Sequence, residues 1–397
     1  MDTAEIKKMA TKYIINTYGE RQLALVRGKG CYVWDADGGK YLDFLGGLAV
    51  NGLGHCHPKV VEAVQEQAEK LLHVSNLYYI EPQAKLAKLL IDNSTMEQCF
   101  FCNSGAEANE AAIKLARKYT KEKIAANRFS IITMENSFHG RTLTTITATA
   151  QPKYHKGFEP MTPGFKYVPF DDLEAVKNAI DNETCAILVE PIQSEGGVNV
   201  PSPGYLEGLR ALCDENNLLL VFDEVQTAMG RLGKFFGYQS YGIEPDILTM
   251  AKSLGGGVPI GAMLTKRHIA ESLGPGTHAA TFGGNPLVSA AAIAAVTTVI
   301  EENLPGNAAK MGEYFMGKLL DLKDKFPQVI EGVRGRGLII GLVLKIDGKP
   351  VASNCIDNGL LTICTMDHVL RFLPPLIISE KHVDEAVEIV EKVLSDV

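Results

Sequence analysis

The 397-residue chain lacks the marks of a membrane-spanning, secreted or nucleic-acid-binding protein. Its first 20 residues contain no apolar core of the kind that signal peptides have, and no later run is long and apolar enough to span a bilayer. Lysine and arginine form no long block, and the net charge is -8, which disfavours anionic partners. We therefore expect a cytoplasmic protein that binds neither nucleic acid nor membranes.

Cysteine is also sparse, since eight residues in a chain of this length do not make a disulfide framework. Two short clusters have the spacing of redox or metal motifs. Cys99 and Cys102 lie in a strand-like segment, where residues three apart point to opposite faces. No second ligand pair at matching spacing accompanies His55, Cys56 and His57. We expect both clusters to be structural and predict no metal site.

Apolar residues are plentiful, at 46% of the chain against 22% charged, which is typical of a globular protein with more than one core. Four continuous apolar runs predict strands buried on both faces of a mostly parallel sheet: residues 129–134, 186–192, 218–224 and 246–251. Segments with helical periodicity lie between them, such as residues 108–119. The predicted class is α/β, in which ligands bind at the carboxyl ends of strands.

The two ends of the chain differ from its middle. Residues 20–45 have the pattern of short antiparallel strands around the turn "DADGG". After about residue 300 come a long helix, glycine-rich strands and a last amphipathic helix. We predict that both ends, residues 1–48 and 301–397, form one smaller α+β domain packed against a large domain of residues 49–300.

Polar residues follow the predicted strands. Lys252 comes after a buried run, and three glycines, Gly255 to Gly257, follow it closely. A Schiff-base lysine needs a partly desolvated amine and room for a bulky partner, and this position offers both. Asp223 ends another run, where an unpaired carboxylate would be costly. Ser104 opens a helix whose N–H groups suit a phosphate, and Phe138 offers a ring for stacking. Singly, these four have ordinary structural explanations; together they meet the requirements of pyridoxal phosphate.

Eight motifs in order resemble one family over nearly the whole chain: "GGLAVNGLGHCHP", "NSGAEANEAAIKLAR", "FHGRT", "VEPIQSEGGV", "FDEVQTAMGR", "AKSLGGGVPIGA", "TFGGNP" and "LRFLPP". The sequence resembles the class III (ω-amino-acid) pyridoxal-phosphate aminotransferases of fold type I, and within them the acetylornithine group. The resemblance implies transamination between N2-acetylornithine and 2-oxoglutarate, giving N-acetylglutamate 5-semialdehyde and glutamate in arginine biosynthesis. It also implies a homodimer with shared active sites.

The resemblance implies a role for each cofactor-binding residue. Lys252 would hold pyridoxal phosphate through a Schiff base and carry the proton during catalysis. Asp223 would bind the ring nitrogen, Gln226 the ring hydroxyl, and Phe138 the face of the ring. The phosphate would be held by one helix start and by one residue of the neighbouring subunit: Ser104, Gly105, Ala106 and Thr281.

Two arginines match the family's carboxylate anchors, Arg141 and Arg371, for which a planar guanidinium is well suited. Glu195 would pair with Arg371 while an ω-amine donor is bound and move away for glutamate; the alternative is that Glu195 only caps a loop. Arg334 and Arg336 are expected to be structural.

Other functions stay open on the sequence alone. Within the family these are an aminomutase reaction and the transamination of ornithine, succinyl-ornithine, succinyl-diaminopimelate or γ-aminobutyrate. Leu48 stands near the position where ornithine aminotransferases have a tyrosine, which favours an acylated substrate. Ala280 stands where related enzymes often have a serine, so a hydroxyl contact to the substrate is missing, and Ser194 stands where glycine is common. From other classes, a Schiff-base lyase without pyridoxal phosphate and a non-catalytic binding protein are the alternatives.

Overall fold

The computed structural model describes residues 1–396, which form three sheets and the helices around them. The strands are β1 (Leu25–Lys29), β2 (Tyr32–Asp35), β3 (Lys40–Asp43), β4 (Gln98–Cys102), β5 (Ser130–Met134), β6 (Phe165–Val168), β7 (Thr184–Val189), β8 (Leu219–Asp223), β9 (Ile247–Met250), β10 (Gly261–Thr265), β11 (Ile330–Arg336), β12 (Ile339–Leu344), β13 (Leu360–Leu361), β14 (Ile363–Thr365) and β15 (Val369–Phe372). The α-helices are α1 (Thr3–Tyr13), α2 (Gly46–Ala49), α3 (Pro58–Lys70), α4 (Glu81–Asp92), α5 (Gly105–Lys123), α6 (Leu143–Ala148), α7 (Pro152–His155), α8 (Leu173–Ala179), α9 (Tyr205–Asn216), α10 (Arg267–Ala270), α11 (Pro286–Glu301), α12 (Leu304–Lys325), α13 (Gly348–Asp357) and α14 (Glu380–Ser395).

The central sheet has seven strands in the order β4-β10-β9-β8-β7-β5-β6. Its strands pair in parallel except β10, which is antiparallel to both of its neighbours. The four apolar runs predicted as strands are β5, β7, β8 and β9, and every residue in them is buried. The prediction of a mostly parallel α/β sheet is therefore confirmed.

Helices cover this sheet through faces of small and apolar side chains. Along α5 the buried positions include Ala108, Ala111, Ala112, Leu115 and Ala116, which is the predicted i, i+3, i+4 face. Four of these five residues are alanines, whose side chain is a single methyl group, and this lets α5 pack closely on the sheet. The start of α5 is thereby held at the edge where β8 and β9 end.

Strands from the two ends of the chain share a sheet. The strands β1, β2 and β3 form an antiparallel sheet whose fourth strand is β13, from the C-terminal part of the chain. A second antiparallel sheet has the order β11-β12-β15-β14; α12 packs against it, and α14 packs against α12. The boundaries at 48/49 and 300/301 stay predictions, and Val397 lies outside the described residues.

Within residues 1–396, no single helix has the length and apolar character needed to cross a membrane. One bent pair, α11 and α12, would meet that criterion together by length and composition, with 63° between the two helices.

Candidate active site

A cavity of about 480 Å³ opens where three parallel strands end and α5 begins. Glu190 follows β7, Asp223 ends β8, and Lys252 follows β9, and all three line this cavity. Because parallel strands present their carboxyl ends at one edge of a sheet, residues far apart in sequence converge here. The structure thus brings together Asp223 and Lys252, which the sequence singled out, and adds Glu190 beside them.

Lys252 sits on a strained turn at the floor of the cavity. Its φ is 42°, and it begins a short 3₁₀ helix, Lys252–Gly255. Gly256 and Gly257 follow with φ of 60° and 120°, which side chains rarely tolerate, so the glycines allow the chain to turn beside the lysine. Burial lowers the pKa of the Lys252 amine, and the Glu195 carboxylate opposes that shift.

Asp223 is held by a buried network of polar groups. Its Oδ2 accepts a hydrogen bond from Asn109 Nδ2 at 2.7 Å and lies 2.8 Å from His139 Nδ1. Its Oδ1 accepts from the Val225 N–H at 3.0 Å, and Thr249 Oγ1 donates to Asn109 Oδ1 at 2.7 Å. The sequence reasoning missed Asn109 and His139, although both lie inside motifs that it quoted. The network fixes a carboxylate whose exposed fraction is only 4%.

The start of α5, where the sequence predicts an anion cradle, lies at the cavity. Ser104 is the N-cap, and its Oγ accepts the Glu107 N–H at 3.2 Å. Ser104, Gly105 and Ala106 all line the cavity. A Cβ on Gly105 would come within 2.7 Å of Val225 Cγ1, so only glycine fits there without displacing that side chain. The first turn of a 19-residue helix presents free N–H groups and a positive dipole end to the cavity.

Phe138 lines the cavity and is tied to Glu190, a residue that the sequence reasoning missed. The Phe138 N–H donates to Glu190 Oε2 at 3.0 Å. Burial, and next the charge of Asp223, raises the pKa of Glu190 well above its ordinary value. Glu190 lies within the quoted motif "VEPI", so that motif was the available signal.

Arg371 and Glu195 form a direct ion pair. Arg371 Nη1 lies 3.0 Å from Glu195 Oε1, and the two side chains are 1% and 25% exposed. Burial pushes the pKa of Glu195 upward, but the positive charges of Arg371 and Lys252 outweigh it and leave that pKa lowered. Arg371 Nη1 also donates to Ser194 Oγ at 3.2 Å. Ser194, which stands where glycine is common, therefore contacts the arginine of the ion pair. Glu195 lines the cavity, whereas Arg371 lies behind it.

The remaining predicted residues are placed differently. Arg141 lines the cavity with an exposed side chain and lies over the Tyr154 ring. Thr281 is exposed and does not line the cavity of its own chain, and neither does Leu48, which is 40% exposed. Gln226 lines the cavity with a buried Oε1 that has no hydrogen-bond partner among the described residues.

Arg334 and Arg336 bond to backbone rather than facing the cavity. Arg334 Nε donates to the Gly197 carbonyl at 2.8 Å, and Arg336 Nη2 donates to the Ser240 carbonyl at 2.9 Å. Both contacts are structural, as expected from the sequence.

The two suspected metal or redox clusters have ordinary environments. Cys99 and Cys102 lie on β4, as the strand prediction required, and neither is in a disulfide. His55 Nε2 lies 2.6 Å from Asp43 Oδ2, and Cys56 is exposed. In the part of the chain that the structure describes, no three His, Cys, Asp or Glu side chains are grouped as a metal site would require.

Comparison with known proteins places this site in a family. The sequence pattern of the family described as "Aminotransferase class-III" matches residues 14–394. The chain belongs to the class III aminotransferases.

Individual aminotransferases are similar to this chain over nearly their full lengths. The chain is 52% identical to an acetylornithine aminotransferase of Methanocaldococcus jannaschii, covering 97% of each chain. Its fold matches the crystal structure of an ornithine aminotransferase from Toxoplasma gondii with a TM-score of 0.96 at 35% identity, covering 100% of this chain and 96% of the other. It matches an acetylornithine aminotransferase from Elizabethkingia anophelis with a TM-score of 0.90 at 34% identity, covering 100% of both. The chain is therefore a fold type I enzyme. The two alternatives from other classes, a Schiff-base lyase without pyridoxal phosphate and a non-catalytic binding protein, are excluded.

Pyridoxal phosphate is the cofactor of class III aminotransferases, and the residues of this site fit it. A lysine with a lowered pKa, a buried carboxylate and a helix start face one cavity. The unpaired Oε1 of Gln226 is the acceptor that a ring hydroxyl would satisfy. We conclude that each part of the cofactor has a suitable group in this cavity, while the individual roles stay predictions.

Proposed function

We propose that this aminotransferase transfers the terminal amine of N2-acetylornithine to 2-oxoglutarate, giving N-acetylglutamate 5-semialdehyde and glutamate, a step of arginine biosynthesis. The observation that carries this proposal is the Glu195–Arg371 ion pair at the cavity wall. The name of the Methanocaldococcus jannaschii relative supports the choice of donor. Both point to an enzyme that accepts an ω-amine and an α-amino acid in turn.

The ion pair answers a problem that these two substrates create. Glutamate reacts at its α-amine, so it brings a carboxylate next to the reacting carbon, which acetylornithine does not. An arginine reserved for that carboxylate would be left unpaired during the first half-reaction, and an unpaired buried charge is costly. Glu195 compensates Arg371 while acetylornithine is bound and yields to the α-carboxylate of glutamate or 2-oxoglutarate.

Arg141 is the anchor that both substrates share. In acetylornithine the α-carboxylate lies at the end of the chain away from the reacting amine, and in glutamate the γ-carboxylate does. Arg141 is exposed to the cavity and forms no salt bridge with residues 1–396, so its guanidinium is free to bind either carboxylate.

The chemistry at the reacting carbon is assigned to two residues. When bound, the cofactor supplies an electron sink that stabilises negative charge at the substrate carbon. Asp223 would bind the ring nitrogen of the cofactor through its carboxylate, whose orientation Asn109 and His139 fix. Lys252 moves the proton, because its lowered pKa leaves more of the amine neutral than in a free lysine.

We further propose a cytoplasmic homodimer in which Thr281 reaches the phosphate site of the partner. Segments 73–79 and 280–283 lie side by side, with Asn76 Nδ2 donating to the Ala280 carbonyl at 3.0 Å. Their large apolar side chains are exposed: Leu77 (83%), Tyr78 (70%), Tyr79 (107%) and Phe282 (58%). A patch of this kind marks a protein contact. A monomer in solution by light scattering, or full cofactor affinity in Thr281→Ala, would contradict this arrangement.

Ornithine is the second candidate donor, because the Toxoplasma gondii enzyme of similar fold is an ornithine aminotransferase. Ornithine aminotransferases have a tyrosine near the position of Leu48; a leucine there favours the acylated donor, although Leu48 does not line the cavity of its own chain. The test is a donor panel with 2-oxoglutarate: acetylornithine, ornithine, succinyl-ornithine, succinyl-diaminopimelate and γ-aminobutyrate. We expect the highest kcat/KM for acetylornithine, and a higher value for free ornithine would replace our proposal.

A further inference from the structure

We propose that Tyr154 is a positioning residue whose ring holds the Arg141 guanidinium in place for the substrate carboxylate. This inference rests on the proposed function, in which Arg141 binds the carboxylate far from the reacting amine. It adds a residue that lies outside the cavity wall and acts through the arginine.

The geometry around Arg141 is aromatic. The guanidinium carbon of Arg141 lies 3.7 Å from the centroid of the Tyr154 ring and 5.4 Å from that of Phe138. The two rings meet edge to face, with centroids 6.2 Å apart and planes at 85°. Among residues 1–396, no carboxylate lies within salt-bridge distance of this guanidinium. We call the two rings the aromatic shelf.

The helix that carries Tyr154 is itself fixed. On α7, the neighbouring His155 places its Nε2 2.9 Å from the Ile146 carbonyl and 2.8 Å from the Thr149 carbonyl. The Tyr154 N–H also bonds to the Gln151 carbonyl at 2.9 Å. These contacts hold the backbone from which the Tyr154 ring extends beside Arg141.

An aromatic face suits this arginine better than a carboxylate would. The ring attracts the cation through its quadrupole and takes away none of the N–H donors that a substrate carboxylate needs. Arg371 has the opposite arrangement, since Glu195 competes directly for its Nη1. The two arginines differ because Arg141 binds a substrate carboxylate in both half-reactions and needs no competing carboxylate. Arg371 binds one only in the half-reaction with glutamate or 2-oxoglutarate.

The shelf also removes an entropy cost before binding. A free arginine side chain has many rotamers, and fixing it when the substrate arrives weakens the affinity. A cation–π contact near the surface is a modest interaction, so its loss should weaken carboxylate binding by about two- to fivefold.

The experiment compares KM and kcat in the cofactor-loaded enzyme. We expect Tyr154→Leu to raise KM for both acetylornithine and 2-oxoglutarate by about two- to fivefold with kcat nearly unchanged. Tyr154→Phe keeps the ring face and should keep KM near the original value. Lys153→Met is the matched control, because Lys153 Nζ lies 4.9 Å from the same ring centroid without facing a substrate.

Two further measurements decide between outcomes. In an Arg141→Ala background, Tyr154→Leu should raise KM no further, because its effect passes through the arginine. If Tyr154→Leu does not fold, pentafluorophenylalanine at position 154 preserves ring size but reverses the quadrupole, and it should raise KM similarly. An unchanged KM in both Tyr154→Leu and the pentafluorophenylalanine variant, or a fall in kcat alone, overturns the shelf. An unchanged KM in Arg141→Ala would instead refute the carboxylate anchor of the proposed function.

Discussion

Glu195→Ala is the substitution that tests the ion pair most directly. In the native chain Arg371 has two acceptors, Glu195 Oε1 at 3.0 Å and Ser194 Oγ at 3.2 Å. The substitution removes the charged acceptor and keeps the neutral one. Because the Arg371 side chain is only 1% exposed, the only place for water to solvate it in the variant is the space that the Glu195 side chain leaves. Bound acetylornithine would displace that water and supplies no carboxylate at this position.

The expected magnitude follows from the burial of the pair. Removing one partner of a fully buried ion pair costs about 3–5 kcal/mol. Here Glu195 is 25% exposed and the Ser194 hydroxyl remains, so we take a lower value of roughly 2 kcal/mol. That energy corresponds to about a 30-fold slower acetylornithine half-reaction. The glutamate half-reaction should be preserved or accelerated, because its α-carboxylate no longer competes with Glu195.

Stopped-flow spectroscopy of the bound cofactor measures each half-reaction separately. Glu195→Gln is the matched control: it keeps an acceptor for Arg371 without the charge, so its effect on the acetylornithine half-reaction should be intermediate. Melting temperatures of the variants exclude a general loss of folding. Equal slowing of both half-reactions in Glu195→Ala would refute the reasoning and leave Glu195 a loop residue.

Four other predictions concern the cavity. Lys252→Ala should abolish turnover while the protein still binds cofactor noncovalently, with a loss greater than the roughly 10²–10⁴-fold of acid–base catalysis alone; near-normal turnover in a purified sample would exclude its role. Asp223→Asn should slow both half-reactions more than it weakens cofactor binding, measured by titration, because an amide does not favour a protonated ring nitrogen. Arg141→Ala should raise KM for acetylornithine by about 30-fold or more in steady-state assays, and an unchanged KM would show that another residue binds the carboxylate. Finally, the lowered pKa of Lys252 means that the unfolded chain binds more protons between the folded and unfolded pKa values, so stability rises with pH there. Cofactor-free protein should therefore gain stability relative to Lys252→Met as the pH rises towards ~10.5, the ordinary pKa of lysine, in urea denaturation.

The sequence by itself indicated four strands of the central sheet, the start of α5 and the edge of the sheet at which the cavity lies. Buried parallel strands must be apolar along their length, so β5, β7, β8 and β9 were visible as runs, and a polar residue after such a run marks its carboxyl end. Lys252 and Asp223 could be assigned to the same edge of the sheet because adjacent parallel strands end together. The N-cap Ser104 was visible because capping is a local signal.

Only the tertiary structure decided which side chains touch. His139 contacts Asp223 across 84 residues of sequence, and Arg371 contacts Ser194 across 177. Neither contact has a periodicity or spacing that a single sequence displays, because each depends on how distant elements pack. The antiparallel insertion of β10 between β4 and β9, the tie from Glu190 to Phe138 and the placing of Tyr154 beside Arg141 arise in the same way. Local chemistry selects the residue types of the site, whereas packing between elements far apart in the chain determines their distances.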